Sequence, residues 1–348
     1  MTYHSQAPST IKHQRLNLWR LGFLPLLALG LFSGFIGVYW DIAWHIDKGR
    51  DSFFTPPHNF IYSAMAIVLL MSIFALLRDR RDSPYHLKLG RLRLHPGVLL
   101  VALGAALELL FAPADDFWHR LYGPEVSLWA PMHLIGLLAL SLASLGAMVT
   151  AWLEGHLNPN KQAFFAALSL YFCAIFLGWH MIFLAEYAFG VPVFPMWVHV
   201  VFLSALPVLS LWLASHLRPF ALSATAVAVI YTLMHLFLLG LLSFVNQQLD
   251  WGGATQPLIA NVLLAAFLAD LLATRSWPLW LKAIAISLGS FVGNWLLFKL
   301  SFSLSLTQSA INWHPQALML GLPFAIVLAI LLIYLAEGMA KGLKRYHA

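Results

Sequence analysis

Long apolar runs separated by short polar segments set the pattern of this 348-residue chain. Each run has the length of a membrane-spanning helix, about 20 residues, rather than that of the short alternating segments of a transmembrane β-barrel. A backbone in hydrocarbon must satisfy its own hydrogen bonds, which favours helices. The pattern therefore predicts an all-α polytopic membrane protein, a bundle of about ten transmembrane helices. The runs fall near 21–40, 58–77, 97–114, 131–152, 163–187, 196–215, 221–244, 257–274, 279–302 and 317–337.

Composition indicates that a lipid bilayer surrounds the chain. Hydrophobic residues make up 61% of it and charged residues 10%, which leaves too little polar surface for a soluble globule of this size. The net charge of +6 comes from Lys and Arg residues that lie mostly in short loops between the apolar runs. This distribution is a topology signal and does not indicate a nucleic-acid partner.

The same Lys and Arg residues predict an orientation. With a cytoplasmic N-terminus, sixteen of the twenty lie on the inner side, as the positive-inside rule requires. We therefore expect a multi-pass protein of the inner cell membrane with both termini in the cytoplasm. The expected organisation is a cytoplasmic segment over 1–20, a single transmembrane helical domain over 21–337 and a basic cytoplasmic tail over 338–348.

The chain has one cysteine, Cys173, and fifteen histidines. The cysteine lies in an apolar run without a partner, so a metal site must use nitrogen and oxygen ligands. Eight histidines lie toward the predicted periplasmic side. The other seven lie near the inner face among basic residues, where we expect them to be solvated or near lipid headgroups: His4, His13, His86, His95, His156, His216 and His347.

Two consecutive outer hairpins carry the same ligand pattern. Each has an Asp, a Trp-His pair whose His comes four residues after the Asp, and a second His just after a proline at the start of the returning run. Residues four apart share one face of a helix, so a carboxylate and two imidazoles can converge at each hairpin. The predicted metal sites are therefore Asp41, His45 and His58, and Asp115, His119 and His133.

Further polar residues near the outer side are weaker candidates for metal ligands. They could extend the two sites or hold another metal, and they could equally be satisfied residues in helix packing. Histidines that face a bundle can also be the axial ligands of a b-type haem, which applies to three of them. The weaker candidates are Asp116, His180, Glu186, His199 and His235, and the haem alternative concerns His180, His199 and His235.

The ligand types leave the metal open between copper, zinc and iron. Imidazole suits all three metals, and a carboxylate lowers the net charge of the filled site. Two histidines and one carboxylate also form the facial triad of non-haem iron oxygenases.

Over about residues 40–135 the chain resembles the C subunit of the copper-dependent membrane monooxygenases, the particulate methane and ammonia oxidisers. The resemblance lies in the spacing of the two ligand sets and in the loop 50–58, which reads Arg-Asp-Ser-Phe-Phe-Thr-Pro-Pro-His. The family's first site is Asp-His-His, like the first set here. Its second site is Asn-His-His, so that Asp115 stands where the family has Asn. The resemblance implies two neighbouring copper sites near the outer face and additional membrane subunits.

Three functions follow as alternatives, and whether the protein is an enzyme stays open. The first is a copper-dependent oxidoreductase or monooxygenase, or one of its subunits, which oxidises a small hydrophobic substrate in an aromatic-lined pocket. The second is non-catalytic uptake or handling of copper or zinc, for which Glu108 and Asp270 supply only a thin pathway across the membrane. The third is a b-type haem protein. Within the first reading, we expect the Asp41 site to hold redox copper and the Asp115 site to prefer a divalent ion.

Overall fold

The computed structural model describes residues 18–49, 52–79, 86–90, 92–123, 127–217, 220–249, 255–303 and 314–345. Most of the predicted segment 1–20 and the end of the predicted tail lie outside the described residues, as do His4, His13 and His347.

Eleven α-helices and one β-hairpin make up the described part of the chain. Two 3₁₀ turns, Pro159–Lys161 and Ile182–Leu184, flank the fifth helix. The helices are α1 Leu18–Lys48, α2 Pro56–Arg78, α3 Pro96–Tyr122, α4 Pro131–Leu157, α5 Gln162–Met181, α6 Ala185–Ala188, α7 Met196–Leu217, α8 Ser223–Leu249, α9 Leu263–Ala273, α10 Leu279–Ser303 and α11 Pro315–Arg345. The hairpin pairs β1 Leu87–Leu89 with β2 Leu92–Leu94 antiparallel, between α2 and α3.

Nine helical segments in the described ranges are long and apolar enough to cross a membrane. This confirms the predicted helical, polytopic class. Several helices extend beyond the apolar runs that predicted them: α1 continues to Lys48 and α3 to Tyr122. Because of this extension, both Asp/His pairs lie on helix rather than in loops.

The eighth apolar run is not a continuous helix, which corrects the prediction for 257–274. A stretch that is neither helix nor strand ends at Val262, and only the eleven residues of α9 follow as helix. Asn294 of α10 binds this irregular backbone, because its Oδ1 accepts a hydrogen bond from the Asn261 N–H at 2.7 Å and its amide donates to the Asn261 carbonyl at 2.8 Å. Non-helical backbone at membrane depth requires such protein partners.

Contacts at both ends show that this discontinuous segment runs along α8. Near its start, Gln256 hydrogen-bonds to Ser243 in the last third of α8. Near its end, Asp270 accepts hydrogen bonds from the backbone N–H groups of Ala224 and Thr225, at 2.9 and 2.8 Å, at the start of α8. The irregular stretch and α9 together therefore traverse the bundle antiparallel to α8.

Small residues bring α3 and α4 into close contact over their length. A Cβ on Gly104 would lie 2.5 Å from the carbonyl oxygen of Ala139, and a Cβ on Gly146 would lie 2.6 Å from that of Gly97. Small residues at a helix interface let backbones approach closely where lipid offers no hydrophobic driving force. The packing sets the position of α3 relative to α4, and these two helices carry the second ligand set.

A buried aromatic cluster links α1 to α4 and α5. Trp179 of α5 is fully buried and donates its indole N–H to the Ser144 hydroxyl of α4 at 3.0 Å. Its ring packs edge-on against Phe35 of α1, with ring centroids 5.4 Å apart. This cluster holds α1, from the first pair of helices, against α4 and α5 in the middle of the bundle.

Candidate metal centre

The second histidine of each ligand set occupies the third position of a helix. Pro56 and Pro57 begin α2 and His58 follows, with the Thr55 hydroxyl capping the His58 N–H at 3.4 Å. In the same way, α4 begins with Pro131, Met132 and His133. Proline suits the first turn of a helix because its missing N–H would have no partner there.

The first ligand set converges on one carboxylate oxygen. His58 Nε2 lies 3.0 Å and His45 Nε2 3.4 Å from Oδ1 of Asp41. Asp41 and His45 belong to the last two turns of α1, whereas His58 comes from α2. Their ligand atoms all lie within 4.8 Å of one another, so the three residues can hold one metal ion.

The second set forms a nearly equilateral triangle of ligand atoms. His119 Nε2 lies 3.2 Å and His133 Nε2 3.3 Å from Oδ1 of Asp115, and the two Nε2 atoms are 3.5 Å apart. Three ligands at about 2.0–2.1 Å from a tetrahedral ion would lie about 3.3–3.4 Å from one another. The triangle therefore has the size of a three-ligand face that leaves a fourth position open.

Backbone carbonyls fix which nitrogen of each histidine faces the centre of this triangle. The Nδ1 of His133 lies 2.7 Å from the carbonyl oxygen of Ser127, and that of His119 lies 3.3 Å from the carbonyl oxygen of Gly123. A carbonyl only accepts, so both Nδ1 atoms carry hydrogen, and in its neutral form each ring points an Nε2 lone pair at Asp115. Three acceptors then face one point, which is the arrangement that a bound cation stabilises.

The position of the hydrogen on the imidazole rings is less constrained in the first set. His45 Nδ1 is buried and has no hydrogen-bond partner among the described residues. The Nε2 atoms of His45 and His58 could therefore carry hydrogen and donate to Asp41. The second set is thus the more strongly prearranged of the two.

Both ligand sets line one cavity of about 400 Å³ at one end of the bundle. Its walls are mainly aliphatic and aromatic side chains, which a small ligand would contact. Besides the ligand residues, the lining includes Val38, Ile42, Ile61, Tyr62, Phe111, Leu137 and Leu140, and two further carboxylates, Glu108 and Glu186. A small molecule in this cavity would lie beside both candidate sites.

The charges around the cavity favour cations. Four carboxylates line it, those of Asp41, Asp115, Glu108 and Glu186, and its described lining contains no Lys or Arg. Carboxylates are costly to bury in a membrane protein unless they are paired or bind a cation. Two divalent ions would balance four carboxylates in the presence of neutral imidazoles.

Glu186, a weaker candidate from the sequence, is already held by the loop that precedes α4. Its Oε1 accepts hydrogen bonds from the Leu128 N–H at 3.2 Å and the Ser127 hydroxyl at 3.4 Å. Its Oε2 accepts one from the Val193 N–H at 3.4 Å. Glu186 therefore anchors the loop whose Ser127 carbonyl orients His133, while its side chain also faces the cavity.

The other weaker candidates lie outside both ligand sets and outside the cavity lining. Asp116 forms an ion pair with Arg120 at 2.7 Å, and His180 lies 3.1 Å from the Ser210 hydroxyl. His235 lies 3.2 Å from the Tyr39 hydroxyl, and the buried His199 stacks near Tyr187, at 4.3 Å between ring centroids. Their assignment as ligands, of metal or of haem, stays a prediction.

The expected solvation of the inner histidines is wrong for His86 and His95, whose exposed fractions are 6% and 1%. His86 Nε2 lies 3.0 Å from Oδ2 of the buried Asp79, and His95 Nε2 lies 3.8 Å from Oε1 of the buried Glu154. The two rings are 5.6 Å apart. These four residues form a second buried polar cluster, here called the hairpin-end cluster, next to β1 and β2. Glu154 near the end of an apolar run was the sequence signal for it.

No protein-family model, curated protein or solved structure matches this chain. The resemblance to the monooxygenase subunit therefore stays a proposal, and the geometry of the site carries the argument about function.

Proposed function

We propose that this protein is an integral membrane metalloprotein that binds two transition-metal ions in the shared cavity and uses them to oxidise a small, largely apolar molecule. The observation that carries the proposal is the triangle of Asp115, His119 and His133, in which three acceptor atoms face one point. A single added proton would form a good hydrogen bond in only one of the three contacts, whereas a metal ion would be coordinated by all three atoms.

Both sets consist of one carboxylate and two imidazoles, so the division of metals follows from the resemblance. Copper is proposed for Asp41, His45 and His58, because their ligand types match the Asp-His-His copper site of the resembling family. A divalent ion is proposed at the second set, where Asp115 adds a negative charge that the family's Asn lacks. When bound, copper supplies one-electron chemistry that amino-acid side chains do not.

The residues of the chain have three tasks in this proposal. Ser127 and Gly123 keep the imidazoles of the second set in the metal-binding tautomer through their carbonyl groups. The apolar walls exclude water from the cavity, which strengthens electrostatic interactions inside it. The open fourth positions leave room for a substrate or co-substrate beside the ions.

Metal analysis of the purified protein in detergent or nanodiscs tests the proposal. The parent should bind about two equivalents of Cu(II), or of copper and zinc together, and a double variant His119→Ala with His133→Ala should lose about one. The matched control replaces two exposed histidines, His156→Ala with His314→Ala, and should keep both equivalents. Equal losses in the two variants would refute the assignment.

Redox activity is tested separately on the parent whose second set has been filled with zinc and which is then loaded with one equivalent of copper. Its electron paramagnetic resonance spectrum should show coupling to two nitrogen nuclei, disappear on reduction and return in air. A second double variant, His45→Ala with His58→Ala, should remove that signal. A signal unaffected by this variant would place the redox copper elsewhere.

A further inference from the structure

The depth of the shared cavity can be followed along α3. Of the residues of α3 that line it, Asp115 lies nearest the outer end and Glu108 lies deepest. Seven residues of helix separate them, or about 10 Å along the helix axis. Glu108 therefore forms part of the floor of a cavity whose upper part carries the ligand sets.

One oxygen of the Glu108 carboxylate is buried and has no hydrogen-bond donor among the described residues. Its Oε2 is shielded from solvent and accepts no hydrogen bond from the residues that the structure describes. Buried polar groups are almost always paired, so a buried carboxylate oxygen in this condition requires an explanation. Ionisable residues at membrane depth are costly and mark functional sites by default.

Gly136 of the facing helix α4 makes room for this carboxylate. A Cβ at position 136 would lie 2.9 Å from Glu108 Oε2, closer than side-chain contacts allow. Gly136 also comes one helical turn after His133, so the carboxylate lies about one turn below that histidine. The Glu108 carboxylate therefore lies directly against Gly136, and a Cβ at position 136 would displace its Oε2.

The cavity does not continue as a pathway beneath Glu108. No residue of α3 before Glu108 and no residue of α4 after Leu140 is among its described lining. Four residues below Glu108, a Cβ on Gly104 would already collide with the Ala139 carbonyl. A carboxylate on the floor of a cavity that ends there is suited to a ligand inside it rather than to a cation passing through.

We propose that Glu108 binds the polar head of the substrate, which is a small molecule with an apolar body and one hydrogen-bond donor, an ammonium or a hydroxyl group. The proposal rests on the proposed function, since it takes the shared cavity as the substrate site. The apolar walls contact the body, and the head donates to the Glu108 carboxylate. A wholly apolar molecule of the same size would fill the cavity and leave that oxygen unpaired.

This arrangement predicts discrimination by the head group. A site built to accept a hydrogen bond rejects an analogue without the donor, because its buried polar group is then left unpaired. We expect the donor-bearing molecule to bind about tenfold to a hundredfold more tightly than its apolar analogue.

Equilibrium binding to the full chain in nanodiscs tests the proposal, with binding to empty nanodiscs subtracted. The probes are n-butylammonium, 1-butanol and n-pentane, and the protein is used both metal-free and metal-loaded. The metal-free measurement keeps this test separate from the proposed function, because it remains readable if the ligand sets bind no metal. In the parent, at least one of the two polar probes should bind at least tenfold more tightly than pentane.

Variants assign the preference to Glu108. Glu108→Leu should abolish the preference for the polar probes. Glu108→Gln should weaken the binding of butylammonium at least tenfold but retain most of the binding of 1-butanol, since an amide oxygen still accepts a hydrogen bond from a hydroxyl. Gly136→Ala should weaken the binding of the polar probes without changing any charge. The matched control is Gly240→Ala, where a Cβ meets nothing within 4 Å.

Four results would overturn the proposal: no binding, equal binding of all three probes in the parent, a preference that survives Glu108→Leu, or equal effects of Gly136→Ala and Gly240→Ala. Gly136→Ala also keeps the test decisive if Glu108→Leu fails to fold.

Discussion

At the scale of single residues, the spacing of the ligands was predictable and their electrostatic surroundings were not. Asp41 with His45, and Asp115 with His119, are four residues apart, and helical geometry alone puts each pair on one face. The carbonyl groups of Gly123 and Ser127 that orient the second set belong to the backbone and carry no sequence signal. The unpaired oxygen of Glu108 lies against a glycine of another helix, a contact that no local pattern reveals.

Replacing Asp115 by Asn tests the role of its negative charge. The variant keeps the shape of the side chain but makes the second set neutral, so zinc affinity should fall about tenfold to a hundredfold, because a coordinating carboxylate favours divalent ions. Retention of Cu(I) under reducing conditions should rise. Metal analysis after dialysis at fixed free metal measures both.

The control for Asp115→Asn is Asp116→Asn, which removes the neighbouring carboxylate that pairs with Arg120. It should change metal affinity little. If Asp115→Asn leaves zinc and copper occupancy unchanged, Asp115 is not a ligand and the second set reduces to its two histidines.

At the scale of elements, apolar runs predicted helices well except where polar partners replace the helical hydrogen bonds. The run 257–274 is apolar enough for a span, but the side chain of Asn294 satisfies the backbone of Asn261 and makes a non-helical conformation acceptable there. Such a long-range contact is invisible in local hydropathy. Conversely, the start of α2 at Pro56, after the cap residue Thr55, follows directly from the sequence.

Loss of the Thr55 cap should weaken the first metal site through the start of α2. Thr55→Ala removes the acceptor for the His58 N–H, which costs about 1 kcal/mol of stability and loosens the helix turn that holds His58. Copper affinity of the first set should fall, whereas zinc affinity of the second should not. Titration of the two metals in the same preparation distinguishes the sites.

Thr232→Ala is the matched control, because the Thr232 hydroxyl only donates back to the Ala228 carbonyl within α8. It should leave both affinities unchanged. A fall of equal size at both metal sites in Thr55→Ala would indicate general destabilisation instead of a local effect.

The hairpin-end cluster should contribute to stability, since its carboxylates and imidazoles are buried together. Asp79→Ala leaves His86 without its carboxylate and should cost about 1–3 kcal/mol. Asp116→Ala removes a carboxylate whose Arg120 partner is largely exposed and should cost less than about 1 kcal/mol. Thermal unfolding in detergent compares the two, and equal shifts in melting temperature would contradict a structural role for the cluster.

At the scale of the whole molecule, composition predicted the class of the protein, and the distribution of Lys and Arg predicted an orientation that the structure itself does not test. The shared cavity was not predictable, because it requires the α1–α2 and α3–α4 hairpins to lie side by side. Buried contacts such as Phe35 with Trp179 bring them together, and those residues are many positions apart in the chain.

Cysteine labelling on intact cells tests the orientation. Ser52→Cys lies in the loop between α1 and α2 and should react with a membrane-impermeant maleimide, whereas Ser276→Cys, in the loop before α10, should react only after the inner face is opened. Both positions are exposed, and the native Cys173 is buried, which keeps the background low. Reaction of Ser276→Cys on intact cells would reverse the topology and place the cavity on the cytoplasmic side.

The recurring start of a helix at His58 and His133 has a consequence for how the site is assembled. Each hairpin supplies an Asp and a His from the end of one helix and a His from the third position of the next, and the two hairpins pass through the bundle in the same direction. They are therefore two instances of one helix–loop–helix arrangement, and each presents ligands to the same cavity. In the proposed function, the differences between the two, Thr55 as the cap of one and the Ser127 carbonyl as the orienting group of the other, would let two similar ligand sets bind different metals.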